Sequence, residues 1–256
     1  MGINEKLILV TNDDSVNAKG IQSLVKIASK SGRVVVVAPD KPQSGMGHAI
    51  TINDPIRMNR VEMFGEIEAY STTGTPVDCV KLAIYEILGQ KPDLVLSGIN
   101  HGENSSTNVL YSGTMSAAIE GAMEGLPSIG FSLANYAHDA DFMQYEGYVS
   151  RIIEHVLEKG MPKHTCFNVN IPNVQNDSIQ GIKFCTQAHA FWADRFDRRM
   201  DQFGRPYFWL TGEFGEVNPK VDSDLHALAN AFISIVPTQF DLTNYAAYAD
   251  LKSLKI

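Results

Sequence analysis

The most constraining stretch of this sequence lies near its start, where Leu7-Ile8-Leu9-Val10 is followed directly by Thr11-Asn12-Asp13-Asp14. A short apolar run that ends in polar residues is typical of a buried parallel strand. The polar end of such a strand lies at the carboxyl edge of the sheet, where open α/β folds bind ligands. Two adjacent carboxylates repel each other, and a hard divalent cation would relieve that repulsion. The alternative is that one Asp caps the next helix and the other faces solvent.

The same pattern of a buried strand followed by a polar loop recurs along the chain. Apolar runs predict further strands at 33–38, 94–96, 128–133, 167–171 and 231–236. The mixed pattern of residues 50–71 predicts edge strands or an excursion from the sheet. Helical spacing predicts helices between the main strands, with a small one at 245–254. Alternation of strands and helices favours a parallel sheet with right-handed crossovers. The polar loops after the first, second and third strands should therefore meet at one edge.

Two helix starts in the sequence carry polar residues that invite a functional interpretation. Thr75-Pro76-Val77-Asp78 has an N-cap, a proline at the first helical position and a capping-box acid, so Asp78 is assigned to capping and not to catalysis. Tyr111-Ser112-Gly113-Thr114 opens a second helix, whose N-terminus is suited to a phosphate group. Plain capping by Ser or Thr explains the second motif equally well.

A stretch from residue 181 to 215 differs from the rest of the chain, because aromatic and charged residues alternate in it. Both tryptophans of the chain lie here, and Gln202-Phe203-Gly204-Arg205-Pro206 is typical of a turn. This pattern predicts a long β-hairpin arm. Aromatic residues on such an arm indicate a protein–protein contact, or else packing against its own domain.

Composition excludes several classes of protein. The formal net charge of −8 argues against a stable complex with nucleic acid, though not against a small anionic ligand. Three cysteines without CxxC spacing fit a reducing compartment, and no apolar run is long enough to span a membrane. Residues 45–50 lack the third glycine of a dinucleotide fingerprint, so a nicotinamide oxidoreductase is not expected. We predict a cytoplasmic protein with one domain over residues 1–256.

Several motifs together resemble the SurE family of survival-protein nucleotidases. They occur in the family's order over most of the chain, and their combination is specific although each alone is not. The matching motifs are Thr11-Asn12-Asp13-Asp14, Ala38-Pro39-Asp40 with Ser44-Gly45, Gly74-Thr75-Pro76-Val77-Asp78-Cys79-Val80, Ser97-Gly98-Ile99-Asn100-His101-Gly102-Glu103-Asn104, Tyr111-Ser112-Gly113-Thr114 and Phe167-Asn168-Val169-Asn170-Ile171-Pro172.

The resemblance implies a three-layer αβα Rossmann-like fold with a mainly parallel sheet and a protruding β-hairpin arm. The arm, at about residues 182–216, and a C-terminal segment, at about 238–256, would serve in assembly of a homodimer or homotetramer. The implied activity is that of a divalent-metal-dependent phosphatase acting on nucleoside 5′- and 3′-monophosphates, and in some members on short polyphosphate.

The resemblance also implies the residues of the site. The family's ligands for one divalent metal ion per subunit, Mg²⁺ or Mn²⁺, fall on Asp13, Asp14, Ser44 and Asn100. An all-oxygen donor set of this kind suits those ions. Asp13, Asp14 and Asn100 are also the predicted catalytic residues. Gln43 stands where the family often has Arg, which removes a positive charge near the site.

Two smaller departures from the family pattern leave the ligands in place: Ser15 stands where Gly is usual, and Lys19 lies near a usual Pro. We predict that phosphoryl oxygens are held by a further set of polar residues and backbone groups. These are Asn12, Gly45, Asn104, Ser112, Gly113 and Thr114.

Two mechanisms and two functions remain open at this point. Water could attack the phosphorus in line, or an Asp could act as nucleophile; the adjacent pair differs from the common aspartyl-phosphatase pattern, whose two Asp are separated by one residue, and favours water. The alternative function, from a different class, is a nucleotide-binding regulatory module without turnover.

Overall fold

The computed structural model describes residues 5–254, and in these residues the main element is a nine-stranded sheet with helices on both faces. A separate antiparallel pair, β9 and β10, forms a hairpin. The strands are β1 (Leu7–Thr11), β2 (Arg33–Pro39), β3 (Met58–Arg60), β4 (Glu68–Thr72), β5 (Leu94–His101), β6 (Ser128–Leu133), β7 (Thr165–Ile171), β8 (Gly181–Phe184), β9 (Ala190–Met200), β10 (Pro206–Glu216) and β11 (Phe232–Gln239). The helices are α1 (Lys19–Ala28), α2 (Pro76–Leu82), α3 (Gly113–Met123), α4 (Glu146–Lys159), α5 (Asp224–Ala229) and α6 (Tyr245–Leu251).

The nine strands have the order β3-β4-β2-β1-β5-β6-β7-β11-β8. The six from β4 to β7 are parallel, whereas β3 pairs antiparallel with β4 and β11 pairs antiparallel with β7; β8 in turn is parallel to β11. This arrangement confirms the predicted α/β class with a mainly parallel sheet. Because side chains alternate across a strand, the central strands bury both faces. Ile8 and Val10 pack with α1 and α4, and Leu7 and Leu9 pack with α2.

The strand order reverses direction at β1, and this reversal positions the site. The chain adds β2 on one side of β1 and later adds β5 on the other side. Loops that leave β1 and β5 therefore diverge to opposite faces and leave a crevice at the carboxyl edge, where open α/β sheets bind ligands. Asp13 and Asp14 follow β1, and Asn100 lies in the last residues of β5.

Capping predictions agree with the structure at α2. The Thr75 side chain accepts from Asp78 N, and the Asp78 carboxylate accepts from Thr75 N, which completes a capping box. The helix is shorter than its apolar pattern indicated, because residues Ala83–Ile87 continue as a π-helical segment.

Strand boundaries differ from the predictions at two places. β11 continues past Pro237 to Gln239, where the sequence predicted an end. The proline is tolerated because β8 pairs with β11 only as far as Ile235, which leaves that edge free. Residues 181–184 form β8 within the main sheet, so the hairpin strands themselves begin at Ala190.

Among the helices of residues 5–254, none is long and apolar enough to cross a membrane. The predicted domain limits and C-terminal segment include residues 1–4, 255 and 256, which lie outside the described residues. The assembly role of that segment stays a prediction.

Gly20, in the first turn of α1, provides a test of how closely this helix packs on β5. A Cβ at residue 20 would lie 1.9 Å from the carbonyl oxygen of Ile99. We expect Gly20→Ala to lower the free energy of unfolding by about 1–3 kcal/mol, as overpacked cores do, although alanine is the better helix former.

Gly147→Ala in α4 is the matched control, because a Cβ there meets nothing within 4 Å. It should leave stability unchanged or raise it by about 0.5 kcal/mol. Urea denaturation of both variants checks this, and an equal effect at the two positions would contradict the packing argument.

Candidate active site

A cleft of about 870 Å³ opens at the carboxyl edge of the sheet, beside the reversal of strand order. All four predicted metal ligands line it, although they come from three separate segments: the loop after β1, the loop after β2 and the end of β5. The cleft is lined by Asp13, Asp14, Ser44, Gly45, Asn100, His101, Gly102, Glu103, Asn104, Thr107, Asn108, Tyr111, Ser112, Tyr136, Phe191, Trp192, Asp194, Leu210, Thr211 and Gly212.

The two adjacent carboxylates, Asp13 and Asp14, are electrostatically unfavourable in the cleft, because they are like charges removed from solvent. Asp13 is only 5% exposed, and Asp14 is partly buried. Burial, reinforced by the negative charge of Asp14, raises the pKa of Asp13 to about 6. Burial likewise raises the pKa of Asp14. Each shift means that the protein disfavours the charged form until a positive group arrives.

Helix α3 holds Asp13 in place through its first turn. Thr114 Oγ1 donates to Asp13 Oδ1 at 2.5 Å. Gly113 permits this approach, because a Cβ there would lie 2.6 Å from the Asp13 Cβ. The backbone of the loop after β2 also reaches Asp13, since Gln43 N donates to its carbonyl oxygen at 2.7 Å. Thr114 thus contacts Asp13 and is fully buried.

Asn100 has its amide group oriented by backbone carbonyls. Its Nδ2 donates to the carbonyl oxygens of His101 at 3.1 Å and Gly102 at 2.9 Å. This leaves Oδ1 as the atom available to a ligand, in the orientation assigned from these bonds. His101 N donates to Asp14 Oδ2 at 3.3 Å, so the end of β5 contacts the carboxylate pair directly.

The loop that carries Ser44 and Gly45 is exposed at the mouth of the cleft. Gly45 has a φ of 74°, a conformation that glycine adopts readily. The loop is tied down on its far side, where His48 Nε2 lies 2.9 Å from the buried Glu120 carboxylate. Lys81 Nζ is 2.5 Å from the other oxygen of Glu120.

The remaining predicted phosphate-binding residues divide into two groups. Asn104 and Ser112 line the cleft, but each also has a structural bond: Asn104 Nδ2 donates to Ser132 Oγ at 2.8 Å, and Ser112 caps α3 by accepting from Met115 N. Asn12 is buried, does not line the cleft and donates to the carbonyl oxygen of Ser15 at 2.8 Å.

The cleft wall contains residues that sequence reasoning did not assign to the site. Tyr136 follows β6, and Phe191, Trp192, Asp194 and residues 210–212 belong to the hairpin. The aromatic pattern of the hairpin was visible in the sequence and was interpreted as a protein–protein contact or as packing against its own domain. Its place in the wall of the same cleft as Asp14 was not visible, because more than a hundred residues separate the two along the chain.

The donor set of the cleft consists of two carboxylates, one hydroxyl and one amide oxygen. Within the described residues, no group of three or more His, Cys, Asp or Glu forms a metal-binding cluster. Oxygen donors of this kind are the ligands preferred by hard divalent ions such as Mg²⁺ and Mn²⁺. Asp13, Asp14, Ser44 and Asn100 therefore fit such an ion, and two carboxylates would neutralise its charge.

Comparison with known proteins agrees with this architecture. The chain matches the family model described as "Survival protein SurE" over residues 8–194. It is 51% identical to the 5′-nucleotidase SurE of Flavobacterium psychrophilum over 98% of both chains, and 52% identical to that of Cytophaga hutchinsonii over 97% of this chain and 96% of the relative. The crystal structure of the SurE protein from Aquifex aeolicus superposes with a TM-score of 0.84 at 38% identity, covering 96% of this chain and 98% of that one.

An open, mainly parallel α/β sheet with an acidic cleft at its switch point defines a ligand-binding α/β protein. The chain belongs to the SurE family, as its motifs predicted.

The cost of burying the carboxylate pair can be measured without any ligand. The pKa of Asp13 is higher in the folded protein than its ordinary value of 3.8, so its ionised form destabilises the fold as the pH rises through that interval. In EDTA at about pH 8, we expect Asp13→Asn to raise the free energy of unfolding, on the order of 2 kcal/mol. The gain should decline as the pH falls below about 6 and vanish only at about pH 3, below both pKa values, where the carboxyl group is protonated in both states.

Asp78→Asn is the control, since Asp78 is equally buried but accepts from Thr51 N, Thr51 Oγ1 and Thr75 N. Its replacement should lower stability at about pH 8. Chemical denaturation distinguishes the two, and a loss of stability in Asp13→Asn would contradict the charge argument.

Proposed function

We propose that this chain is a divalent-metal-dependent phosphomonoesterase that hydrolyses nucleoside 5′- and 3′-monophosphates to nucleoside and phosphate. One observation carries the proposal: the adjacent carboxylates of Asp13 and Asp14 share a cleft with the Ser44 hydroxyl and the Asn100 amide. The names of the relatives, 5′-nucleotidase SurE, support the same activity.

The metal would be held by Asp13, Asp14, Ser44 and Asn100, as one Mg²⁺ or Mn²⁺ per subunit. When bound, the ion supplies polarisation of a phosphoryl oxygen. The raised pKa values of Asp13 and Asp14 support this assignment, because burial of two like charges is sustained most readily where a cation compensates them.

The protein groups around the carboxylates have roles that follow from their contacts. Thr114 orients Asp13, and the carbonyls of residues 101 and 102 orient Asn100. We assign Ser112, Asn104 and the backbone of Gly45, which line the cleft, and the backbone of Gly113 at the start of α3 to contacts with phosphoryl oxygens. Asn12 lies behind this layer, and we assign it to support of the loop after β1.

We favour direct attack by water over an Asp nucleophile. Asp13 is nearly inaccessible and already accepts a hydrogen bond from Thr114, so it is held as a ligand would be. In-line displacement needs an oriented nucleophile and charge stabilisation, both of which an oxygen-lined cleft offers.

We also propose a further substrate, self-association and a cellular location for this chain. Short polyphosphate is a further candidate substrate, because it presents the same terminal phosphoryl group. Self-association through the arm and the C-terminal segment is supported by exposed aromatic residues, including Phe196 and Phe203 on the arm and Tyr248 on α6. Three free, buried cysteines suit a cytoplasmic location, and the net charge of −8 disfavours stable nucleic-acid binding.

Phosphate release tests the activity directly. With Mn²⁺ or Mg²⁺, we expect release from nucleoside monophosphates to exceed release from an aryl phosphate, and EDTA to abolish both. Asp14→Asn should reduce kcat by at least about 100-fold, whereas Asp177→Asn, an exposed residue outside the cleft, should not. Nucleotide binding without release under any condition would favour the regulatory module instead.

Metal binding can be tested separately from turnover by thermal unfolding. We expect Mn²⁺ at about 100 times its Kd to raise the Tm of the wild type by about 5–10 °C. The rise should be lost in Asp13→Asn and Asp14→Asn and kept in Asp177→Asn. A full rise in both site variants would refute the ligand assignment.

A further inference from the structure

The cleft is much larger than the group of residues around the carboxylates. Its volume of about 870 Å³ lies within the range of pockets that enclose whole small-molecule ligands. One part of its wall holds Asp13, Asp14, Ser44 and Asn100, the root of the hairpin forms another part, and Tyr136 lies over Gly102 beside Asn100. A substrate that fills it therefore needs a larger group in addition to its phosphoryl group.

The hairpin root forms a second part of the cleft wall. Directly paired residues of an antiparallel ladder point to the same face. Trp192 pairs with Phe214, Asp194 with Gly212, and Phe196 with Leu210. The cleft is lined by Trp192, Asp194, Leu210 and Gly212 of this set, together with Phe191 and Thr211 from the alternate positions, so the root of the hairpin forms part of the cleft wall.

The hairpin root is fixed to the loop that follows β5. The fully buried Ser106 exchanges hydrogen bonds with the hairpin, because its Oγ donates to the carbonyl oxygen of Ala188 and accepts from Ala190 N at 3.0 Å each. Asp224 accepts from Ser106 N at 2.8 Å and from Ala188 N at 3.0 Å. The root of the arm is therefore a rigid part of the cleft.

Trp192 is held in one orientation within this wall. Its Nε1 donates to Asn108 Oδ1 at 3.0 Å, and its ring lies 5.4 Å from the ring of Phe214 at an interplanar angle of 50°. The indole is nonetheless 47% exposed. Since its only hydrogen-bond donor is already used, what it offers to a ligand is a flat apolar surface.

A second aromatic ring lies close to the predicted ligand Asn100. The ring of Tyr136 occupies the space over Gly102, where an added Cβ would lie 2.2 Å from Tyr136 Cε1. The carbonyl oxygen of Gly102 in turn accepts from Asn100 Nδ2. Tyr136 is 75% exposed, so an aromatic surface extends from the predicted ligand Asn100 along the cleft.

From this arrangement we infer that Trp192 is a substrate-binding residue, whose indole stacks on the base of a nucleoside monophosphate, with Tyr136 contributing a second aromatic surface. The inference deepens the proposed function and rests on it. Stacking on an aromatic ring tolerates every base. The subsite therefore gives a broad base range, with purines bound more tightly than pyrimidines because their stacked area is larger.

Steady-state kinetics with matched substrates tests the role of the indole. For Trp192→Leu, we expect KM for adenosine and guanosine monophosphates to rise about tenfold, in line with the loss of one base–aromatic stack, with kcat little changed. KM for ribose 5-phosphate, which lacks the base, should not change. Trp192→Phe should restore most of the affinity, because it keeps an aromatic ring.

Trp209→Leu is the control, since Trp209 lies farther along the hairpin, opposite Asp197, and does not line the cleft. It should leave KM unchanged for every substrate. An equal rise in KM for nucleotides and ribose 5-phosphate in Trp192→Leu would overturn the proposal, since it would mark a general disturbance of the cleft.

A binding measurement keeps this inference separate from the proposed activity. Trp192 is the only tryptophan that remains in Trp209→Phe, because the chain has two. We expect adenosine monophosphate to change its fluorescence emission in a saturable way and ribose 5-phosphate to leave it unchanged. No change with the nucleotide would overturn the subsite even if the wild type releases phosphate. A change without phosphate release would support the subsite and refute the activity.

Discussion

The structure depends on the electrostatic repulsion between two carboxylates, Asp13 and Asp14, at the end of β1. Two adjacent carboxylates stand at the switch point of the sheet, and one of them is almost completely removed from solvent. The fold partly compensates the pair through Thr114 and the backbone N–H of His101. These bonds are too few to cancel burial, since the pKa of Asp13 remains raised to about 6. The oxygen donors and close glycine contacts at the carboxyl edge of the sheet surround the negative charge of this pair, which the hydrogen bonds of the protein compensate only in part.

The same edge explains how distant segments come to share one site. The carboxyl ends of parallel strands lie at the same edge of the sheet, so the loops after β1, β2 and β5 converge although they are far apart in the sequence. Two asparagines of β7 hold the loop after β5 in place. Asn170 Oδ1 accepts from Asn104 N, and Asn168 Nδ2 donates to the carbonyl oxygen of Asn104. Ser106 then joins the loop to the hairpin. The arm, whose outer aromatic residues are exposed, is thus continuous with the cleft at its root.

Local patterns in the sequence predicted the elements well where one periodicity dominated. The four consecutive valines of β2 and the capping box at Thr75 left little alternative. Predictions failed where tertiary pairing outweighed a local rule. Pro237 lies inside β11 because the missing N–H falls on a free edge, and residues 181–184 join the main sheet although they precede the aromatic stretch without a clear break.

The sequence by itself determined the class of fold and the family, and it predicted the oxygen-bearing side chains that line the cleft, because buried strands and their polar ends are encoded in short runs such as residues 7–14. Only the tertiary structure decided which side chains face one another. Thr114, predicted to contact phosphate, donates to Asp13, and Trp192 lies in the cleft wall, a position that neither interpretation of the aromatic stretch included. Residue type and spacing specify what a side chain can do, whereas its neighbours depend on strand order and on long-range bonds such as those of Ser106 and Asp224, which short sequence patterns do not record.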